Sequence, residues 1–260
     1  MEVFSAVKRI VLFCITAALC LFLLPACTKT KEPVTLSCRV IAVIGDELLL
    51  ASEGREPIMT LLPSENTKIT LLRDGEPADA EDAPTPGDFL YLTFDGGMLN
   101  TTPSVPRGVT QMDIVTGKFD NLAAVYLSVL TDLSKEEGNN IADHAMLAVS
   151  LEETALPPCE QSAVVYAIAR QYPTVSVIEE SRADLMAKGF MTKTSDGYRW
   201  YWKDGTFLAI YEYPKKCTDR TRYFNADLGH GYVWTGCRTS RDADSGVWMP
   251  YEKGGIAHVD

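Results

Sequence analysis

The side chains able to carry covalent or acid–base chemistry are few and dispersed. Seven cysteines occur, and Cys27 has the most distinctive setting. It closes Leu24-Pro25-Ala26-Cys27 after a run, residues 10–24, in which Thr16 is the only polar side chain. Cys159 falls near the start of an expected helix, where a lowered thiol pKa makes a nucleophile. It would need a histidine base, and the sequence does not set His144, His230 or His258 beside it, so a structural thiol is the competing reading. None of these three histidines shows i,i+4 pairing or Cys-x-x-Cys company, and no zinc site is read. Gly-x-Ser-x-Gly is absent, as is a Gly-rich phosphate loop. Asp242-Ala-Asp244-Ser-Gly246 begins like a calcium loop but has Lys253 where the twelfth-position glutamate belongs. The loop at residues 74–82 concentrates carboxylates with a spacing that fits no metal loop. Both read as solvated turns, and no cofactor or metal is expected.

The richest aromatic stretch is Tyr198-Arg-Trp200-Tyr-Trp202, then Lys-Asp204-Gly205-Thr, then Phe207-Leu-Ala-Ile-Tyr211-Glu-Tyr213. Asp-Gly between alternating strands is a strong hairpin signal. That register pairs Trp202 with Phe207 and Tyr198 with Tyr211, and puts Tyr198, Trp200, Trp202 and Tyr211 on one face. Exposed, this face is a ligand-binding surface that stacks on sugar or peptide. Covered, it is sheet core, the usual role of large aromatics. Trp234 and Trp248 are open to the same two readings.

Lys8 and Arg9 precede the apolar run, which at fifteen residues is shorter than the roughly 20 of a spanning helix. A basic flank, a short apolar run and a small residue before Cys27 read as a cleaved signal. The pattern resembles the bacterial lipoprotein signal. The resemblance implies that residues 1–26 are removed, that Cys27 is lipidated and becomes the mature N-terminus, and that residues 27–33 form a tether. An uncleaved anchor helix is the alternative, and polar Thr28-Lys29-Thr30-Lys31-Glu32-Pro33 argues against it. At about 3.3 Å per extended residue the spacer reaches about 20 Å, so the chain is expected at the outer membrane face.

Losing Glu2, Lys8 and Arg9 takes 24 basic and 35 acidic side chains to 22 and 34. That net negative surface excludes nucleic acid as a partner, which needs clustered Lys and Arg. An exported location permits disulfides. Four cysteines remain, Cys38, Cys159, Cys217 and Cys237, and Cys217–Cys237 is the favoured pair because both flank one expected strand. Cys38 shares the parity of Val34, Leu36 and Val40 and is expected to point inward.

Apolar runs at residues 34–43, 48–50, 57–62, 68–72, 89–94 and 109–115, with turn residues between them, predict a small barrel over residues 34–117. The order of strands resembles an OB-like five-stranded barrel. From residue 118 the pattern changes. Phe119, Leu122, Tyr126, Val129, Leu130 and Leu133 make a helical stripe. A strand follows at 145–151, a helix at 159–172, and a third short helix that Ser181 and Asp184 begin and Gly189 ends. Strands then predominate. The fold class is therefore α+β: an OB-like β-barrel followed, over residues 118–260, by helices packed on a curved antiparallel sheet, an NTF2/cystatin-like cone. Asp227-Leu-Gly-His-Gly-Tyr-Val-Trp-Thr-Gly-Cys237 and Gly246-Val-Trp-Met-Pro-Tyr251 resemble the C-terminal region of uncharacterised exported lipoproteins of Gram-positive (Firmicutes-type) bacteria, a resemblance that implies no activity. The expected function is a membrane-anchored extracytoplasmic binding module without catalysis, its partners the membrane through Cys27 and a small-molecule, glycan or peptide ligand. The alternative is an exported hydrolase or thiol enzyme using Cys159 or a carboxylate pair, and a cystatin-like protease inhibitor is a third reading.

Overall fold

Leu48-Leu49-Leu50 shows no alternation because the strand carrying it is buried on both faces. Strand β1 (Val34–Ile44) pairs antiparallel with β2 (Glu47–Ser52). Successive side chains point to opposite faces. Cys38, Val40, Leu48 and Leu50 therefore enter one apolar cluster, while Ile41, Ala42, Leu49 and Ala51 enter another. A register shift between Val40 and Ala42 lets β1 serve both. Cys38 points inward, as its parity indicated.

The computed structural model describes residues 32–53, 57–61, 69–79, 82–136, 140–193, 200–229 and 232–258. Cys27, Tyr198 and His230, the signal and the tether as far as residue 31 lie outside these residues. After β2 come β3 (Ile58–Leu61), β4 (Thr70–Arg73), β5 (Glu76–Pro77), β6 (Phe89–Phe94), β7 (Met98–Leu99), β8 (Val105–Pro106) and β9 (Val109–Ile114). Seven strands form one sheet in the order β3-β2-β1-β6-β9-β4-β5, with β4 parallel to β9. In the acidic loop, Asp74 and Gly75 make the β4–β5 turn. Asp74 Oδ1 accepts the Thr116 N–H at 2.8 Å, and its bonds to Thr116 hold its pKa below the ordinary carboxylate value.

Helix α1 (Leu122–Leu133) buries Leu122, Tyr126, Val129, Leu130 and Leu133, the stripe its spacing predicts. Next come β10 (Met146–Ser150), α2 (Pro158–Gln171), β11 (Ser176–Glu179), α3 (Arg182–Ala187), β12 (Thr192–Lys193), β13 (Trp200–Tyr201), β14 (Gly205–Glu212), β15 (Thr221–Asp227), β16 (Tyr232–Ser240) and β17 (Gly255–His258). Pro158 opens α2, where its missing N–H costs nothing, and Ser181 Oγ caps α3 by accepting the Asp184 N–H. The chain mixes helices and strands, with strands predominating. The second sheet, β11-β10-β14-β15-β16-β17, is mixed, not antiparallel throughout. α2 returns the chain so that β11 lies parallel to β10, and β10 is also parallel to β14.

The aromatic hairpin does not form as its turn signal suggested. β14 uses both edges, for β10 and β15, so β13 pairs with β12 instead. Gly205 serves another purpose: a Cβ there would stand 2.3 Å from the Trp202 ring.

Pro33–Asp260 makes one compact unit. Its largest core runs from β1 and β2 through α1 and α2 to β10 and β14–β16. Arg39 on β1 secures the junction. Its Nε donates to Glu160 Oε1 of α2 at 3.0 Å, and Nη1 donates to the carbonyls of Gly87 and Lys118, each at 3.0 Å, and of Asp120 at 3.4 Å. The strand half, the helix and the segment leading into α1 thus meet on one guanidinium.

Candidate functional site

Besides its core stripe, α1 presents a second row. Ala124, Ser128 and Asp132 recur every fourth residue and so share one face. With Asn121 and Val125 they form one wall of a groove of about 650 Å³, and residues 247–253 form the other. Alanine and serine are small enough to leave the groove open, where a leucine in that row would close it.

Trp248 holds the opposite wall down. Its indole is 3% exposed, and Nε1–H donates to Asp120 Oδ1 at 2.9 Å. Its backbone N–H donates to Asn121 Oδ1 at 2.7 Å, and Asn121 Nδ2 donates to the Trp248 carbonyl at 3.0 Å. Asp120 Oδ1 also accepts the Leu122 N–H at 3.1 Å, so the pair that starts the helix also clamps Trp248. Tyr251 stacks near Trp234, ring centroids 6.1 Å apart, and its hydroxyl donates to Asp132 Oδ2 at 2.8 Å. Burial, then Asp132, pushes the Tyr251 phenol up, so it stays protonated and donating. Lys253 lies 3.9 Å from the centroid of Trp234 and pairs with Glu136. The Lys253 hydrogen bond is the chief reason that Glu136 sits below the ordinary carboxylate range, against its own burial.

The turn before this wall is closed internally. Asp242 Oδ1 accepts the N–H of Asp244 at 3.2 Å, the N–H of Ser245 at 2.8 Å and the Ser245 hydroxyl at 2.7 Å, and these bonds lower its pKa. The calcium-like spelling is therefore a self-capped turn. Arg241 ties it to the start of α1 through Gly246 O at 2.7 Å and Phe119 O at 3.0 Å. The groove has apolar sides, Val125, Val247 and Pro250, with Asn121 at one part and Ser128, Asp132 and Lys253 at another. An apolar body with one or two hydrogen-bonding groups fits such a lining.

The residues singled out from sequence lie elsewhere. Trp202 is buried at 5% exposure and packs with Phe207, Leu185 and Met191, so its ring is core and not a stacking surface. Tyr211 packs against the same cluster, half-buried, and burial raises its pKa. Trp200 belongs to β13, with its side chain outside the description. The expected Cys217–Cys237 disulfide is absent, and both are thiols. β15 runs between them: Cys217 Sγ meets the Tyr223 backbone at 3.4 Å, while Cys237 on β16 opposes Phe224 and enters the core. Two strand spacings of about 4.8 Å exceed the ~7 Å Cα limit of a disulfide.

Cys159 borders a smaller cavity of about 180 Å³ with Arg39, Glu53 and Glu160. Burial first, and then the Glu160 carboxylate, push its thiol up, opposite to what a nucleophile needs. No described histidine lines that cavity. Among the described residues, no group of three His, Cys, Asp or Glu is arranged to hold a metal. Sequence reasoning left Trp248 undecided and passed over its clamp. The i, i+4, i+8 row of Ala124, Ser128 and Asp132 was the available signal. No protein-family model matches the chain, and none of the curated proteins is similar to it.

Proposed function

We propose that this chain is a lipid-anchored extracytoplasmic protein that binds a small molecule or a short peptide in the groove between α1 and residues 247–253, without catalysis. One observation carries the binding reading: an open groove of about 650 Å³ whose far wall is fixed by a buried tryptophan with three hydrogen bonds. A preformed wall means that little ordering is needed when a ligand enters. The ligand's class follows from the lining, apolar along its length and polar in patches. A sugar is disfavoured, because the Trp248 ring is too buried to offer a flat stacking face. The anchor rests on Lys8 and Arg9, the apolar run and Cys27. Among the described residues no helix is long and apolar enough to cross a membrane.

Pairing supports the finer reading of residues 34–117 as OB-like. β1 pairs with β2 and β6, β2 with β3, β6 with β9, and β9 runs parallel to β4. β3, which pairs with β2, and β4, which pairs with β9, would both map onto the third strand of an OB barrel. The NTF2/cystatin-like reading finds support only in β14 to β17, which run antiparallel in series.

The test is a saturation titration of residues 27–260 with Nile red, a neutral apolar probe, against the Ser128→Trp variant. Ser128 is exposed, so an indole there fills the groove without entering the core. One saturable site in the parent protein that Ser128→Trp removes, at unchanged Tm, supports the reading. Equal binding by both proteins overturns it.

A further inference from the structure

A second cavity, independent of the groove, lies where α/β sheets most often bind ligands, beyond the carboxyl ends of parallel strands. β10 ends at Ser150 and β14 at Glu212, and the two run parallel. The segments that follow them enclose about 470 Å³, bordered by Glu152, Glu153, Glu212, Cys217 and Arg222. Glu212 is only 9% exposed. Its Oε1 is committed, accepting the Tyr126 hydroxyl at 2.6 Å and the Ala155 N–H at 2.8 Å. Its Oε2 forms an ion pair with Arg222 Nη1 at 3.7 Å, beyond hydrogen-bond distance. Arg222 is only partly buried, its side chain 21% exposed. Its Nε is buried and has no hydrogen-bond partner, and its guanidinium lies 5.5 Å over the Trp248 ring. Arginine carries five N–H donors in a planar fork suited to a carboxylate. Arg222, ion-paired with Glu212 Oε2, lines the cavity and keeps donor capacity beyond that pair.

The charges say what kind of group that is. A simple anion such as phosphate would meet Arg222 but also Glu152, Glu153 and Glu212. A simple cation would pair with the glutamates and leave the arginine fork unbonded. A molecule with carboxylate and ammonium on adjacent atoms satisfies both sets. We propose that this cavity is a binding site for a free α-amino acid, its carboxylate on Arg222 and its ammonium on Glu153 and Glu212 Oε2. The remaining volume admits a side chain. Cys217, whose thiol borders the same cavity, is a built-in reporter of occupancy.

Calorimetry on residues 27–260 with glycine, L-alanine, L-leucine and L-lysine tests this, with acetate, methylamine, inorganic phosphate and glucose as single-feature probes. At least one amino acid should bind more than tenfold tighter than acetate or methylamine, and should slow Cys217 alkylation by iodoacetamide in proportion to its occupancy. Arg222→Lys keeps the charge but loses the fork, and Glu153→Gln changes an exposed side chain. Each should weaken amino-acid binding at least tenfold, and Glu153→Gln, outside the groove lining, should leave Nile red binding there unchanged. Tighter binding of phosphate or glucose than of any amino acid overturns the proposal. So does failure of all four amino acids to bind or to protect Cys217 at about 10 mM, a limit that corresponds to under 3 kcal/mol of binding free energy.

Discussion

Replacing Arg39 by alanine should remove more stability than any other single surface-reaching substitution in the first half of the chain. Its Nε–Glu160 bond is 3.0 Å long between side chains only 18% and 12% exposed. Its Nη1 also serves carbonyls of Gly87, Lys118 and Asp120. Breaking a fully buried pair costs about 3–5 kcal/mol, because the surviving charge is stranded. The slight exposure here argues for the low end, about 3 kcal/mol. With a urea m-value of about 3 kcal/mol/M, the midpoint of unfolding should fall by about 1 M. Arg39→Lys keeps a charge near Glu160 but loses the fork, and should cost roughly half as much. The double variant Arg39→Ala, Glu160→Gln should recover part of the loss, because the stranded carboxylate is gone. The pH dependence has a definite sign. Burial, the largest influence on Glu160, raises its pKa above the ordinary 4.5, and Arg39 opposes that shift. Without Arg39 the folded state takes up a proton more readily than the unfolded chain. Stability of the variant must then fall as pH rises through the window above 4.5, and its deficit must shrink as pH drops through it. The assay is urea unfolding of parent and variants across that window. A loss below about 1 kcal/mol, within the range of an ordinary exposed ion pair, or a deficit that grows on acidification, refutes the role given to this junction.

Other substitutions probe separate links. Gly205→Ala places a Cβ 2.3 Å from the Trp202 ring, and calorimetric melting should show a loss of about 1–3 kcal/mol from overpacking. Tyr126→Phe removes the O–H that Glu212 Oε1 accepts at 2.6 Å. The Ala155 N–H remains, so denaturant unfolding should show a cost of about 1.5–3 kcal/mol, typical of a hydrogen bond to a charged group. Alkylation in denaturant without reductant should modify both Cys217 and Cys237, and a crosslinked Cys217–Cys237 peptide by mass spectrometry would contradict the separation by β15. Cys27→Ala should abolish incorporation of labelled fatty acid in an exporting bacterial host, and persistent labelling would remove the anchor.

Where local chemistry decided the structure, the sequence was readable. The stripe from Leu122 to Leu133 is helical and buried. Ser181 caps the helix that it was expected to begin. Cys38 faces inward. Where long-range pairing decided it, the sequence was silent or misleading. Ser176–Glu179 is too short a strand to show alternation, so the parallel β10–α2–β11 unit was missed. Asp204-Gly205 carries a strong turn signal, yet hairpin pairing lost to β10 and β15, which both claim β14. Arg39 gives no local sign of its four partners, since they come from three distant stretches of chain. The groove follows the same division. Its helical row was legible as spacing, whereas the clamp of Asp120 and Asn121 on Trp248 joins residues more than a hundred positions apart.

The groove itself can be interrogated without choosing a ligand. Crystals of residues 27–260 soaked with a library of neutral aromatic and aliphatic fragments give an unbiased map of where apolar groups settle. The account predicts that fragment density concentrates between Ser128 and Trp248, with the wall at residues 247–253 unmoved. Fragments that settle elsewhere and leave this groove empty would contradict it.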